Sequence, residues 1–148
     1  EELARGVYRR AVAARPFRGP WAAYLEAALA QEEEHARRLR EALGRQPALR
    51  FRLPEVFQSP ILLLRLLESL EEAFVGAYLG ALPLLEGEAL RLAGAILGVE
   101  AGHRVLVRQA RLELQDPLLR PPFVANDRAL EQALSPEGAR EALKPYLP

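Results

Sequence analysis

Residues 25–43 read LEAALAQEEEHARRLREAL, and their spacing decides the fold class. Apolar side chains recur at Leu25, Ala28, Leu29, Ala36, Leu39, Ala42 and Leu43, the rhythm of a helix that buries one face. Glu32 and His35 occupy slots in that same stripe, one turn apart, so an acid and an imidazole stand where the core expects apolar residues. Working outward, the Gly19-Pro20 turn and Gly44 bound this helix, predicted over Trp21–Leu43.

The pattern returns further along. Ala89, Leu92, Ala93, Ile96, Val107, Ala110 and Leu114 form a second stripe, interrupted by Glu100 and His103. EEEH at 32–35 thus recurs as EAGH at 100–103, 68 residues on. EELARGVY at 1–8 recurs as EEAFVGAY at 71–78, 70 residues on, keeping both Glu, the Gly and the Tyr. Each half therefore carries Glu-x6-Tyr on one helix and Glu-x-x-His on the next. Glu71 shares its stripe with Ile61, Leu64, Glu68, Val75 and Tyr78. With 18 Glu in 148 residues, composition alone would place a Glu three residues before both His in roughly 1–2 % of cases.

Punctuation sets the remaining elements. A first helix is predicted from Glu1 to about Ala14, stopped by Arg15-Pro16. A Pro- and Arg-rich linker, Arg45 to Gln58, is too long for a tight turn between antiparallel neighbours. Ser59-Pro60 opens a third helix, as N-cap and first helical residue, which runs to about Ala81. A fourth begins around Glu86-Gly87-Glu88 and reaches about Leu114. Arg120-Pro121-Pro122-Phe123 should be extended, with short helices starting at Asn126 or Asp127 and at Ser135-Pro136. Short turn, long crossover, short turn is the connectivity of an up-down-down-up, ferritin-like four-helix bundle. The expectation is an all-α chain: a bundle over residues 1–114, with pseudo-two-fold halves 1–44 and 60–114, and a C-terminal tail over 115–148 packing on it.

Composition narrows the function. Twenty basic against 20 acidic residues leave no surplus for neutralising phosphates, so no nucleic-acid partner is expected. Without Cys there is no disulfide frame, thiolate zinc site or iron–sulfur cluster. The most apolar run, Ile61–Leu85, is broken by Arg65, Glu68, Glu71 and Glu72, so no membrane span is expected. The chain opens at Glu1 without a Met, so any leader has been removed or left out, and localisation stays open between the cytoplasm and export.

Buried carboxylates are unfavourable unless they protonate or find partners. No Lys or Arg is expected at matching core positions, and two divalent metal ions would resolve the charge. Glu1, Glu32, His35, Glu71, Glu100 and His103 supply the oxygen and imidazole ligands of carboxylate bundles that hold iron or manganese pairs. Glu33 and Glu34, four residues before Arg37 and Arg38, are expected to be solvated helix pairs. Glu2 and Glu72 are read likewise, although a small change of helix phase would put Glu72 in place of Glu71. Tyr8 and Tyr78 should wall the site, hydrogen-bonded to ligand carboxylates; the sharper alternative makes one a one-electron donor. Glu68 is the candidate to receive a ligand histidine's free N–H. Gly94, Gly98 and Gly102, with Gly76 and Gly80, predict a close backbone neighbour, either the paired helix or a second copy in a homodimer.

LEEAFVGAYLGA at 70–81 and AILGVEAGH at 95–103 resemble the bacterial ferritin-like domain family related to plant desiccation-related proteins. The tail, with PPF at 121–123 and KPYL at 144–147, is similar too. The resemblance implies a carboxylate-bridged dinuclear centre in which Glu32 and Glu100 bridge, Glu1 and Glu71 are terminal, and His35 and His103 each take one metal. In that family the first helix extends about two or three turns ahead of its ligand Glu, roughly 10–15 Å of helix. The first functional expectation is a di-metal oxidoreductase acting on O2, peroxide or ferrous ion. The alternative is a non-catalytic stress or desiccation-related protein whose metal site is stabilising or vestigial. An iron-storage cage subunit fits the broken, Pro-rich tail less well, and a rubrerythrin-type peroxidase would lack its own iron–sulfur donor.

Overall fold

The computed structural model describes residues 1–44, 49–120 and 122–148; residues 45–48 of the expected linker and Pro121 of the expected extended stretch lie outside them. The described residues form an all-helical, ferritin-like arrangement with no strand: α1 (Glu2–Ala14), α2 (Pro20–Leu43), α3 (Pro60–Ala81), α4 (Gly87–Glu113) and α5 (Pro136–Leu143), with 3-10 turns at Leu82–Leu84 and Lys144–Tyr146. The chain divides into two compact units, one of residues 1–63 with 146–148 and one of residues 64–145.

In the first unit, Leu3, Ala4, Val7, Tyr8 and Ala11 form the buried face of α1. The helix stops because Pro16 disfavours helical backbone at Arg15. Arg15 instead turns left-handed (φ 51°), and its N–H bonds to Ala11 O and Val12 O at 3.2 and 3.3 Å. Gly19 (φ 60°) then reverses the chain and Pro20 opens α2, one residue before the predicted start, because a helix needs no N–H donor at its first position. α2 ends at Gly44, also at positive φ. The two helices pack antiparallel, with Arg40 beside Glu2 and Tyr24 beside Tyr8. The later part of the expected linker is anchored rather than helical. Glu55 accepts two bonds from Arg10, whose guanidinium lies 4.6 Å from the centre of the buried Phe57 ring, and Arg52 N–H donates to Tyr146 O at 2.9 Å.

In the second unit, Leu64, Leu67, Leu70, Phe74 and Val75 of α3 and Ala93, Ile96, Val107 and Ala110 of α4 form the buried apolar set. α4 ends one residue before the predicted Leu114. Gln115 turns left-handed (φ 54°), and Asp116 N–H reaches back to Arg111 O at 3.0 Å. Ser135 caps α5 by accepting from Gly138 N–H at 3.1 Å, with Pro136 at the first turn as its sequence predicts. The short helix expected from Asn126 or Asp127 does not form. Tertiary anchors hold that stretch open instead: Arg108 binds Asp127, Arg128 binds Glu72, Arg104 binds Glu131, and Leu134 N–H bonds to Gly76 O.

The glycine stripes behave differently from one another. At Gly80 an added Cβ would lie 1.9 Å from Leu134 O, so the close backbone neighbour of Gly76 and Gly80 is the tail, not a paired helix or second copy. Around Gly94, Gly98 and Gly102 no described atom beyond the helix's own backbone lies within 4 Å of such a Cβ, so no described neighbour of this chain makes the close approach there.

Candidate metal centre

Each unit builds one cluster of two carboxylates and an imidazole from the predicted residues. In the first, α2 turns Glu32 and His35 into the core one helical turn apart, and Glu1 sits at the N-cap of α1. His35 Nδ1 lies 3.4 Å from Glu1 Oε2 and 3.6 Å from Glu32 Oε2. The side chains of Glu1 and Glu32 are 4 % and 0 % exposed, so they point inward although Glu1 is the first residue. In the second, α3 supplies Glu71 while α4 supplies Glu100 and His103. His103 Nδ1 lies 3.4 Å from Glu100 Oε2 and 3.9 Å from Glu71 Oε1. All three of these residues are buried. Within each triad the candidate ligand atoms lie within 4.8 Å of one another, close enough to hold a metal ion.

The donor chemistry fits a divalent ion. Two carboxylates and one neutral imidazole are the hard and borderline ligands that iron and manganese take, whereas a soft-metal site would need thiolates that this chain lacks. Ala28, Leu67 and Val107, each one helical turn from Glu32, Glu71 and His103 on its own helix, are at 0 % exposure, so the stripes that carry the ligands are buried and apolar on that side.

The neighbouring charges are less simple than the sequence suggested. Glu68 does not turn to a histidine: it accepts from Arg108 at 2.8 Å and from Arg111. Arg104, Arg108 and Arg111 are all buried on α4, contrary to the expectation of no core cations. Their spacing of four and three residues puts them on one stripe beside the ligand stripe, which was the available signal. Arg111 also binds Asp116 at 2.8 Å, Arg108 binds Asp127 at 2.6 Å and Ala125 O at 2.8 Å, and Arg104 binds Glu131 at 2.6 Å. The Arg65 guanidinium, with the Leu118 N–H and Arg111, holds the Asp116 carboxyl well below its ordinary range.

Outside the core, Glu34 meets Arg38 as predicted and takes Arg37 as well, and those guanidiniums lower its carboxyl to about 2. Glu33 instead crosses to Arg9 on α1 at 2.7 Å. Glu2 pairs with Arg5 and Arg40, and Glu72 pairs with Arg128, which leaves Glu71 as the inward acid of that pair. The two tyrosines diverge. Tyr8 is buried and its hydroxyl meets that of Tyr24 at 3.1 Å, whereas Tyr78 is half-buried.

Helices that bury Glu/His groups capable of holding a metal define a ferritin-like protein in structural terms. The chain belongs to the ferritin-like domain family, whose model matches residues 1–113. No match was found among curated proteins or among solved structures. No helix of the described residues is long and apolar enough to cross a membrane.

Proposed function

We propose that this protein binds two divalent metal ions, iron or manganese, as a dinuclear centre and uses them in redox chemistry on O2, peroxide or ferrous ion. The observation that carries the reading is the duplication of one triad: Glu1, Glu32 and His35 in one unit, Glu71, Glu100 and His103 in the other. A single buried Glu–His pair serves stability often enough. Two equivalent triads, each combining a Glu-x-x-His with a Glu from the preceding helix, answer a demand that packing alone does not make.

When bound, such ions supply one-electron redox steps and open positions for a small oxidant. The chain's own residues provide the rest. Glu32 and His35, fixed one turn apart on a rigid helix, present an oxygen and a nitrogen without reorganisation, and Glu100 and His103 do the same on α4. Metal binding requires each imidazole to be neutral and each carboxylate ionised, so occupancy falls as pH falls through the range where histidine protonates. The apolar wall around the triads limits access to small molecules and slows loss of reactive products to bulk water.

The test is a metal-edge X-ray measurement on purified protein, giving metal identity and number together, repeated on His35→Ala and His103→Ala. Two ions per chain, reduced in each variant, and peroxide or O2 consumption that the metal-free chain lacks, are the expected results. No uptake of iron or manganese by the folded chain would refute the reading. Stoichiometric uptake that raises the melting temperature without oxygen or peroxide chemistry would leave the stabilising, non-catalytic role.

A further inference from the structure

A line of aromatic side chains leads from the triad of the first unit toward the surface. Tyr8 stands seven residues beyond Glu1 on α1, about 10 Å along the helix axis, and is 1 % exposed. Its ring meets that of Tyr24 edge-on with centroids 6.5 Å apart, and the two hydroxyls are hydrogen-bonded at 3.1 Å. Tyr24 in turn meets Trp21 edge-on at 6.1 Å. Trp21, the chain's only Trp, is half-buried in the first turn of α2. Burial therefore falls from the inner member of the line to the outer ones.

The duplication shows that packing does not require these rings. At the 68-residue offset that aligns the two Glu-x-x-His motifs, Trp21 and Tyr24 correspond to Ala89 and Leu92. The second half fills the same helical positions with aliphatic side chains. Tyr8 has its counterpart in Tyr78, but Trp21 and Tyr24, which extend the line outward from Tyr8, are specific to one half.

We infer that Trp21, Tyr24 and Tyr8 form a one-electron relay, carrying electrons from a soluble one-electron reductant outside the protein to an oxidised metal ion in the Glu1–Glu32–His35 triad. The inference rests on the redox reading above. Tyr8 gives one electron to the ion and passes its phenolic proton across the 3.1 Å bond to the Tyr24 oxygen, while Tyr24 releases its own proton to water. Trp21 refills Tyr8 with one electron through the Tyr24 ring; a proton returns to Tyr8 from the Tyr24 hydroxyl along the same hydrogen bond, and Tyr24 takes a proton back from water. The oxidised indole loses its N–H proton to water; the reductant's electron and a proton from water then restore it. The net change is one electron from the reductant to the ion, with protons balanced.

Pulse radiolysis of the metal-free chain tests the relay without relying on the metal. Azide radicals oxidise the single Trp. The indolyl absorption should then decay with first-order kinetics, independent of protein concentration, as tyrosyl absorption grows. Tyr24→Phe keeps the ring and should slow that transfer about tenfold or more. Tyr8→Phe should leave it fast but change the tyrosyl electron-paramagnetic-resonance line shape, because the radical then stops on Tyr24. Equal rates in wild type and Tyr24→Phe, or a rate that scales with protein concentration, would overturn the relay. In the iron-loaded chain, peroxide should leave a protein radical that Trp21→Phe shifts wholly to tyrosine. Absence of any protein radical with the iron content unchanged would overturn the relay and leave the metal site standing; absence of iron uptake, measured on the same samples, would instead refute the metal reading.

Discussion

Gly80 and Gly94 both lie inside helices, where Gly→Ala ordinarily stabilises by about 1 kcal/mol. Their surroundings reverse the sign at one of them. A Cβ on Gly80 would stand 1.9 Å from Leu134 O, a backbone atom that cannot rotate away as a side chain can. A Cβ on Gly94 would meet no described atom within 4 Å beyond the backbone of its own helix. Forcing the Leu134 backbone off α3 carries an overpacking cost of about 1–3 kcal/mol. It also strains the Leu134 N–H to Gly76 O bond, 2.8 Å long, worth about 1 kcal/mol. After the gain of about 1 kcal/mol in helix propensity, Gly80→Ala should lose roughly 1–3 kcal/mol. Gly94→Ala should gain up to about 1 kcal/mol. For a chain of this size about 1 kcal/mol moves the melting temperature by roughly 2–4 °C, so the variants should fall on opposite sides of wild type. Circular-dichroism melts in excess chelator keep metal linkage out of the comparison. Proteolysis of the tail should accelerate in Gly80→Ala alone. If Gly80→Ala melts at or above Gly94→Ala, the tail does not lie in the groove made by Gly76 and Gly80, and the reasoning fails.

Arg108→Ala removes the partner that joins Glu68, Asp127 and Ala125 O, and the cation over the Phe123 ring at 4.6 Å. Breaking a buried pair from one side should cost about 3–5 kcal/mol in urea denaturation, against a small effect for the exposed Glu34→Gln, whose partners are water-accessible. Asp116 has its carboxyl lowered in the folded state by Arg65, so its stabilising contribution is present above the unfolded carboxylate range and is lost as pH falls through the folded value. Acid titration of Asp116→Asn should therefore show a shallower loss of stability on the low-pH limb than wild type; identical limbs would remove Asp116 from the account. Adding manganous ion at about 100 times its dissociation constant should raise stability by about 2.7 kcal/mol, and His35→Ala should abolish much of that increment if the first triad holds an ion.

Helices and candidate ligands were legible because both are local. Pro20, Pro60 and Pro136 sit in helical first turns and Gly44 closes α2, so backbone chemistry alone fixed those boundaries within a residue or so. Glu32 with His35, and Glu100 with His103, are neighbours on one helix surface whatever the rest of the chain does. The buried arginines and the tail were not legible, for the opposite reason. Arg104, Arg108 and Arg111 are tolerated inside because Glu131, Asp127 and Asp116 arrive from a stretch with no hydrophobic period of its own and join Glu68, which already faces two of them. That same arrival keeps residues 126–134 from forming the helix their composition suggested, since Arg128 to Glu72, Glu131 to Arg104 and Leu134 N–H to Gly76 O are contacts distant in sequence. The two halves make the distinction sharp. What they share, the Glu-x6-Tyr and Glu-x-x-His spacing, could be read from the chain. What separates them depends on partners: Tyr8 finds Tyr24 in one half, and Glu68 finds Arg108 and Arg111 in the other. A duplicated scaffold needs equal packing on both sides, so residues that depart from the duplication are those to which a separate role can be assigned. Trp21 and Tyr24 depart from it as two electron-rich rings in edge-on sequence with the buried Tyr8, which is why they, and not the arginine cluster, carry the functional inference.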